Sequence, residues 1–181
     1  MAKLLYSATM SLDGYIAGTD GDASWLTPYL GPNPLVDDLV GRVGSLLVGN
    51  RTFRGDDPYR DQPGEGEPFG GGWSGPQVVL THHVPGTPFP GVTFCTSLDE
   101  AVSQARSAAG AKEYVNVLGA ATALQCLQAG VLDEVLVCVA PILLGDGTPL
   151  FRRPGGATVP LERLSLSSVP HAINAWYRIV R

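Results

Sequence analysis

The chain has 181 residues, 44% hydrophobic and 16% charged, and its 23 glycines and 15 prolines make about a fifth of it turn-forming, well above the ordinary share. That composition excludes a disordered or collagenous chain and supports a single domain, residues 1–181, whose core needs no disulfide or metal staple. A formal charge of −5, with only two lysines and with arginines spread without a cluster, excludes a nucleic-acid surface and keeps small anionic ligands in play.

In chain order, Leu4-Leu5-Tyr6 reads as a first short strand, a helix is expected near residues 35–43, and Leu46-Leu47-Val48 is a second strand running into a short helix at Arg51 or Thr52. Half of residues 55–76 are Gly or Pro, including Gly70-Gly71-Gly72, a density that predicts a loop with no regular element. Val78-Val79-Leu80 and Val92-Thr93-Phe94 are further strands. Ser97-Leu98-Asp99-Glu100 is a capping box that opens a helix ending at Gly110. Tyr114-Val115-Asn116-Val117 is a strand, residues 120–129 a helix closed by Gly130, and residues 135–139 a strand. The alternating Leu164-Ser165-Leu166-Ser167 and Ala175-Trp176-Tyr177-Arg178-Ile179, with residues 171–174 between them, predict a terminal antiparallel hairpin. Short, barely alternating strands interleaved with helices imply an α/β fold around a mostly parallel sheet.

The N-terminal stretch has too few consecutive apolar residues for a secretion signal, and the longest hydrophobic run, residues 135–144, is too short to span a bilayer. Cys95, Cys126 and Cys138 are widely spaced in apolar surroundings, as buried thiols in a reducing compartment are. A soluble, cytoplasmic protein without nucleic-acid or membrane partners is expected. No metal is expected either, since His171 is far in sequence from His82 and His83 and no H-E-x-x-H spacing occurs.

Three strand-to-helix junctions carry the candidate chemistry. Gly49-Asn50-Arg51-Thr52 combines a glycine turn, a cation and a hydroxyl, which together suit a phosphate. Gly119-Ala120-Ala121-Thr122 offers small residues at a helix start, where free N–H groups attract a pyrophosphate. Leu80-Thr81-His82-His83 sets two imidazoles just past a strand, suited to a nucleotide. Each also reads as an ordinary cap or turn. No Walker loop, zinc-deaminase motif or complete G-x-S-x-G is present, so hydride transfer by a bound cofactor fits better than hydrolysis or phosphoryl transfer.

Met10-Ser11-Leu12-Asp13-Gly14-Tyr15-Ile16-Ala17-Gly18 and Ala140-Pro141-Ile142-Leu143-Leu144-Gly145-Asp146-Gly147 with Leu150-Phe151, taken with the junctions, resemble the dihydrofolate-reductase-like superfamily. Within it the resemblance is to the reductase domain of bacterial riboflavin biosynthesis and its stand-alone homologues. It implies a three-layer fold, NADPH as hydride donor, a homodimer, and a reductase like dihydrofolate reductase or 5-amino-6-(5-phosphoribosylamino)uracil reductase. The substrate implied is a small heterocycle, pterin- or pyrimidine-like, or a carbonyl or imine compound. Ala17 and Gly18 would then lie near the nicotinamide, and Gly49, Arg51 and Thr52 on the cofactor phosphates. Leu80, Thr81 and His82 would flank the adenosine, and Gly119, Ala120, Ala121 and Thr122 would cradle the pyrophosphate. Thr52-Phe53-Arg54-Gly55-Asp56-Asp57-Pro58 resembles a riboflavin-reductase pattern that sets Asp56 at the substrate, with residues 55–76 bordering the active site. Asp13 and Trp25 are the other pocket candidates, against a turn-forming and a core-packing role respectively. Asp37 and Asp38 stand on the first long helix, where dihydrofolate reductases carry their carboxylate. A nicotinamide-nucleotide-binding or sensing module without turnover is the rival reading.

Overall fold

The computed structural model describes residues 1–55, 58, 59, 61, 63 and 65–181. Its elements in chain order are β1 (Lys3–Ser11), β2 (Tyr15–Ala17), α1 (Pro34–Arg42), β3 (Val43–Gly49), α2 (Asn50–Phe53), β4 (Gln77–Leu80), β5 (Val92–Cys95), α3 (Leu98–Ala108), β6 (Tyr114–Leu118), α4 (Ala120–Gln128), β7 (Glu134–Ala140), β8 (Thr148–Pro149), β9 (Leu161–Val169) and β10 (Ala172–Ile179). Short 3-10 turns at Thr19–Gly21, Ser24–Tyr29 and Pro68–Gly71 complete the set.

Eight strands form one sheet in the order β5-β4-β3-β6-β1-β7-β10-β9, parallel except where β10 runs antiparallel to both its neighbours. The chain steps from β1 outward to β3, β4 and β5, then returns through β6 and crosses β1 to β7. Right-handed crossovers taken in opposite directions must lie on opposite faces. Accordingly α1, through Leu39, and Trp73 pack with Leu5, Leu46 and Trp176 on one face. The other face receives Ala101, Val102 and Ala105 of α3 and Ala123 and Cys126 of α4, against Leu4, Tyr6, Leu47 and Val117.

Local chemistry accounts for these elements. The Ser97 hydroxyl accepts the Glu100 N–H and starts α3, as the capping-box sequence predicts. Gly44 lets α3 close on the sheet, for a Cβ there would stand 2.3 Å from the Ala109 carbonyl oxygen. The terminal hairpin is longer than the alternation predicted: residues 172–174 belong to β10, with Asn174 opposite both Ser167 and Cys138, and the turn is confined to residues 170–171. Residues 55–76 also differ from expectation, since Pro68–Gly71 forms a 3-10 turn and Trp73 is a buried anchor whose indole N–H donates to the Val43 carbonyl at 3.1 Å.

Two short strands escaped the sequence reading. Tyr15–Ala17 pairs antiparallel with Thr148–Pro149, at two and three residues too brief for any periodic signal.

Candidate active site

Parallel strands bring their C-terminal ends to one edge, and three candidate junctions fall there on adjacent strands. Gly49 is in register with Leu80 of β4, and Val48 with Leu118 of β6, so the β4, β3 and β6 ends stand side by side. The first two interlock reciprocally: a Cβ on Gly49 would lie 2.5 Å from Thr122 Oγ1, and one on Gly119 would lie 2.5 Å from Thr52 Oγ1. Each glycine therefore makes room for the other junction's threonine. Gly119 also takes φ +101°, a left-handed conformation that side chains resist, and α4 begins there without a side-chain cap. The first N–H groups of α4 thus face out beyond small Ala120 and exposed Ala121.

Arg51 is exposed on α2 and makes no hydrogen bond or ion pair among the described residues. Its helix is fixed by Phe53, which meets Phe89 and Phe94 edge-on at 5.7 Å each. At the third junction, Thr81 is buried and its hydroxyl closes a local turn with His83, accepting its N–H at 3.2 Å. Leu80 packs into the core face, while His82 and His83 are both exposed, so the two imidazoles are the side chains there that are open to a ligand.

Beyond β1 the chain is laced to residues 140–150. The Leu12 N–H donates to the Ile142 carbonyl at 2.8 Å and the Leu150 N–H to the Gly14 carbonyl at 2.9 Å. The Asp13 carboxylate accepts the Ser11 hydroxyl, the Leu144 N–H at 3.1 Å and the Gly145 N–H at 2.7 Å. These bonds, the Ser11 hydroxyl foremost, hold the carboxyl below its usual range. With both oxygens engaged, Asp13 acts as a clasp between loops. Gly147 backs directly on the nicotinamide candidates, because a Cβ on it would come within 2.1 Å of the Ala17 carbonyl oxygen and 3.0 Å of Gly18 Cα.

On the face that α1 covers, β1 alternation presents Leu5, Ser7, Thr9 and Ser11, a row of hydroxyls leading to the same edge. Trp25 lies between β2 and α1, its ring 6.4 Å from that of Tyr29, and its buried indole N–H has no acceptor among the described residues. The Thr27 hydroxyl donates to the Pro58 carbonyl at 2.8 Å, which joins the Gly/Pro-rich loop to the Trp25 segment. Asp56 lies outside the described residues. Asp37 and Asp38 are exposed, and Asp38 pairs with Arg42 at 3.0 Å, so α1 turns no carboxylate toward the sheet.

Burial pushes the Cys126 thiol up to about 12 and the Cys138 thiol up to about 11, leaving both protonated and unreactive. Among the described residues no cluster of His, Cys, Asp or Glu side chains is placed to hold a metal ion, and no helix is long and apolar enough to cross a membrane.

Sequence reasoning missed three polar features. Asn33 and Asn174 exchange amide hydrogen bonds at 2.9 and 3.0 Å beneath the start of α1. Asn116 is fully buried, with neither end of its amide paired among the described residues. At the opposite edge of the sheet, buried Glu134 accepts from Lys3, Tyr114 and Trp176. A polar residue inside an otherwise apolar strand run was the available signal for Asn116; Glu134, after Asp133 at the start of its strand, reads as a solvated strand end, and the Asn33–Asn174 pair joins residues too far apart for any local pattern.

The family model of the RibD C-terminal domain matches residues 2–174. No curated protein matches the sequence. Among solved structures, a Shewanella sp. PV-4 protein assigned to riboflavin biosynthesis superposes with a TM-score of 0.75 at 24% identity, covering 100% of both chains. The Thermotoga maritima diaminohydroxyphosphoribosylaminopyrimidine deaminase/5-amino-6-(5-phosphoribosylamino)uracil reductase gives 0.69 at 18% identity, over 99% of this chain and 57% of its own. Dihydrofolate reductase from Enterococcus faecalis, complexed with NADP(H), gives 0.64 at 18% identity, over 99% and 97%. At such identities the likeness carries the dihydrofolate-reductase-like α/β fold.

Proposed function

The chain belongs to the RibD C-terminal domain family, and on that premise we propose that it is an NADPH-dependent reductase of a small heterocyclic, carbonyl or imine compound. The observation that carries this reading is the interlocked pair of junctions, in which Gly49 accommodates Thr122 and Gly119 accommodates Thr52. That packing holds the uncapped start of α4 beside Thr52 of the short helix that also carries Arg51, at the strand ends, where open α/β sheets bind nucleotides.

The residues fit the cofactor. The free N–H groups at the start of α4 suit a diphosphate, Arg51 a phosphate oxygen, and exposed His82 the adenosine end. Ala17 and Gly18, backed by Gly147 and braced through Asp13, would hold the nicotinamide against the end of β1. NADPH supplies the hydride. The chain's own part is to orient it beside a substrate seated between α1 and the sheet, with Trp25 as a flat wall carrying a free donor. With Asp13 engaged as a clasp and Asp37 and Asp38 turned outward, water supplies the proton in this reading. Asp56 retains the substrate-side role that the motif assigns it.

The same outward orientation of Asp37 and Asp38 favours the rival, a nicotinamide-nucleotide sensor without turnover. Titration with NADPH and NADH, followed by nicotinamide fluorescence, is expected to saturate at micromolar concentration. No binding of either at millimolar concentration overturns both readings. Binding without oxidation across a panel of imines, pterins and pyrimidines selects the sensor.

A homodimer belongs to the proposal. The edge strand β9 has one side unpaired, and Leu166 and neighbouring Ile173 are exposed on one face. Sedimentation equilibrium checks it, and a 19.0 kDa monomer at micromolar concentration overturns it.

A further inference from the structure

Helix cover on the α3 and α4 side of the sheet is uneven. Those helices pack chiefly over β3, β4, β5 and β6, whereas residues 150–160, which hold no regular element, roof β7 and β10. Beneath that roof lies a cavity of about 270 Å³. Its floor includes Val135 and Val137 of β7, both buried in the core of this face, and its roof Phe151 and Val159. Phe151 meets the Tyr6 ring edge-on at 5.3 Å, which fixes that end of the roof. Leu161, at the start of the edge strand β9, also lines the cavity and is 49% exposed, so the space reaches solvent on that side. Protein interiors leave few voids larger than a water molecule, and an apolar cavity of about 150 Å³ already takes up benzene, so a space of this size suits a ligand. Two polar side chains interrupt the apolar lining. Arg153 and Tyr177 are both half-buried, and neither the guanidinium nor the phenol has a partner among the described residues. Arg163 stands opposite Tyr177 in register and two residues after Leu161, so it shares their face, and it too has no carboxylate to pair with among the described residues. Asp133, Glu134 and Glu162, the carboxylates adjoining these strands, are engaged by Arg181, Lys3 and Arg178 at 3.2, 2.9 and 2.9 Å. In a chain of formal charge −5, unpaired arginines beside an apolar cavity are a local excess of positive charge that complements an anion.

We propose that this cavity is a second binding site, for a small amphipathic monocarboxylate whose apolar body lies between the β7 floor and residues 150–160 and whose carboxylate meets Arg153. A guanidinium grips a carboxylate through two parallel N–H donors, and the Tyr177 hydroxyl adds a third donor. By comparison with benzene, the volume suits an apolar body on the order of ten carbons. A neutral molecule of the same length leaves the arginine without an anion, and a sugar or nucleotide would have to bury its hydroxyls against valine and phenylalanine. None of the lining residues belongs to the three junctions or to the Asp13 clasp, so the inference stands apart from the reductase reading.

The test is calorimetric titration of the full chain with hexanoate, octanoate and the neutral 1-octanol, repeated on Arg153→Gln and Val159→Trp. Octanoate is expected to bind once per chain and about tenfold or more tighter than 1-octanol. It should also bind about tenfold tighter than hexanoate, since each buried methylene is worth about three- to fourfold. Arg153→Gln should erase the preference for octanoate over 1-octanol while leaving 1-octanol binding unchanged. Val159→Trp, which fills the cavity from the roof, should weaken both by about tenfold or more, and if it does not fold the glutamine variant carries the test. Equal affinity for octanoate and 1-octanol, an unchanged preference in Arg153→Gln, or no saturable binding at millimolar concentration overturns the inference. So does octanoate affinity that falls as protein concentration rises while sedimentation equilibrium shows a dimer forming, because that puts a second copy of the chain over the cavity.

Discussion

Arg51 and Asp13 are both exposed charged residues beside the strand ends, yet their surroundings give them different work. Arg51 has no partner among the described residues, so its guanidinium is available to an anion. Arg51→Ala should weaken NADPH binding by about 1.5–3 kcal/mol, roughly ten- to 150-fold, with an unchanged melting temperature. Fluorescence titration checks this, and unaltered affinity would remove Arg51 from the site. Asp13, by contrast, is engaged by Ser11, Leu144 and Gly145, and its carboxyl is held below the ordinary value. A depressed folded-state value means that the charged clasp stabilises the protein above the unfolded-state value of about 3.9, and that this contribution fades as pH falls through the folded value. Asp13→Asn should therefore melt below the unaltered protein at pH 7, and the gap should close on acidification below about pH 4. A pH-independent gap would mean that the carboxylate's charge is irrelevant to the clasp.

At the level of elements, the sheet edge is built from close approaches that tolerate no added atom. Gly147 has φ +141° and would drive a Cβ into the Ala17 carbonyl, so Gly147→Ala must displace the β2–β8 ribbon or the loop before it. The expected result is a stability loss of more than about 1 kcal/mol, with a larger proportional loss of NADPH affinity, since Ala17 and Gly18 move with the ribbon. Chemical denaturation and titration on the same sample separate the two effects, and a stability loss alone would detach Ala17 and Gly18 from the cofactor. Much of this architecture was legible in the chain. Strands β3 to β7 are apolar runs bounded by turn residues, and α3 announces itself at Ser97 and Glu100. The interlocking of Gly49 with Thr122 and of Gly119 with Thr52 was not legible, because it depends on β3 and β6 lying side by side although some 70 residues separate them. Local sequence specifies each glycine turn; the pairing across strands is decided by the order of the whole sheet. The clasp was half visible: Asp13 before Gly14 reads as a turn, while its partners Leu144 and Gly145 come from the far end of the chain.

Across the whole molecule the two edges of the sheet divide the labour. The C-terminal edge carries glycines, an uncapped helix start and, close by, the Trp25 indole donor, which has no acceptor among the described residues, features that cost stability and make sense at a binding site. The N-terminal edge instead gathers a network of paired charges and donors around one carboxylate. Glu134, 1% exposed, accepts the Lys3 ammonium at 2.9 Å, the Tyr114 hydroxyl at 3.0 Å and the Trp176 indole N–H at 2.9 Å. Burial next to the Glu134 carboxylate raises the Tyr114 phenol well above its ordinary value and keeps it a donor. Arg42 lies over the Tyr114 and Trp176 rings at 5.0 and 5.4 Å while pairing with Glu113 at 2.8 Å, so the network ties α1 and strands β1, β6, β7 and β10 together. Removing the carboxylate strands two buried donors as well as the ammonium. Glu134→Ala should therefore lower stability by about 2–5 kcal/mol, and Glu134→Gln, which keeps one acceptor, by less. Neither should change NADPH affinity in protein that remains folded, because Glu134 begins β7 at the edge away from the junctions. Urea denaturation with parallel cofactor titration decides the matter. An affinity change as large as that of Arg51→Ala would mean that the two edges are coupled through the sheet, and that the Glu134 network helps to set the geometry of the site.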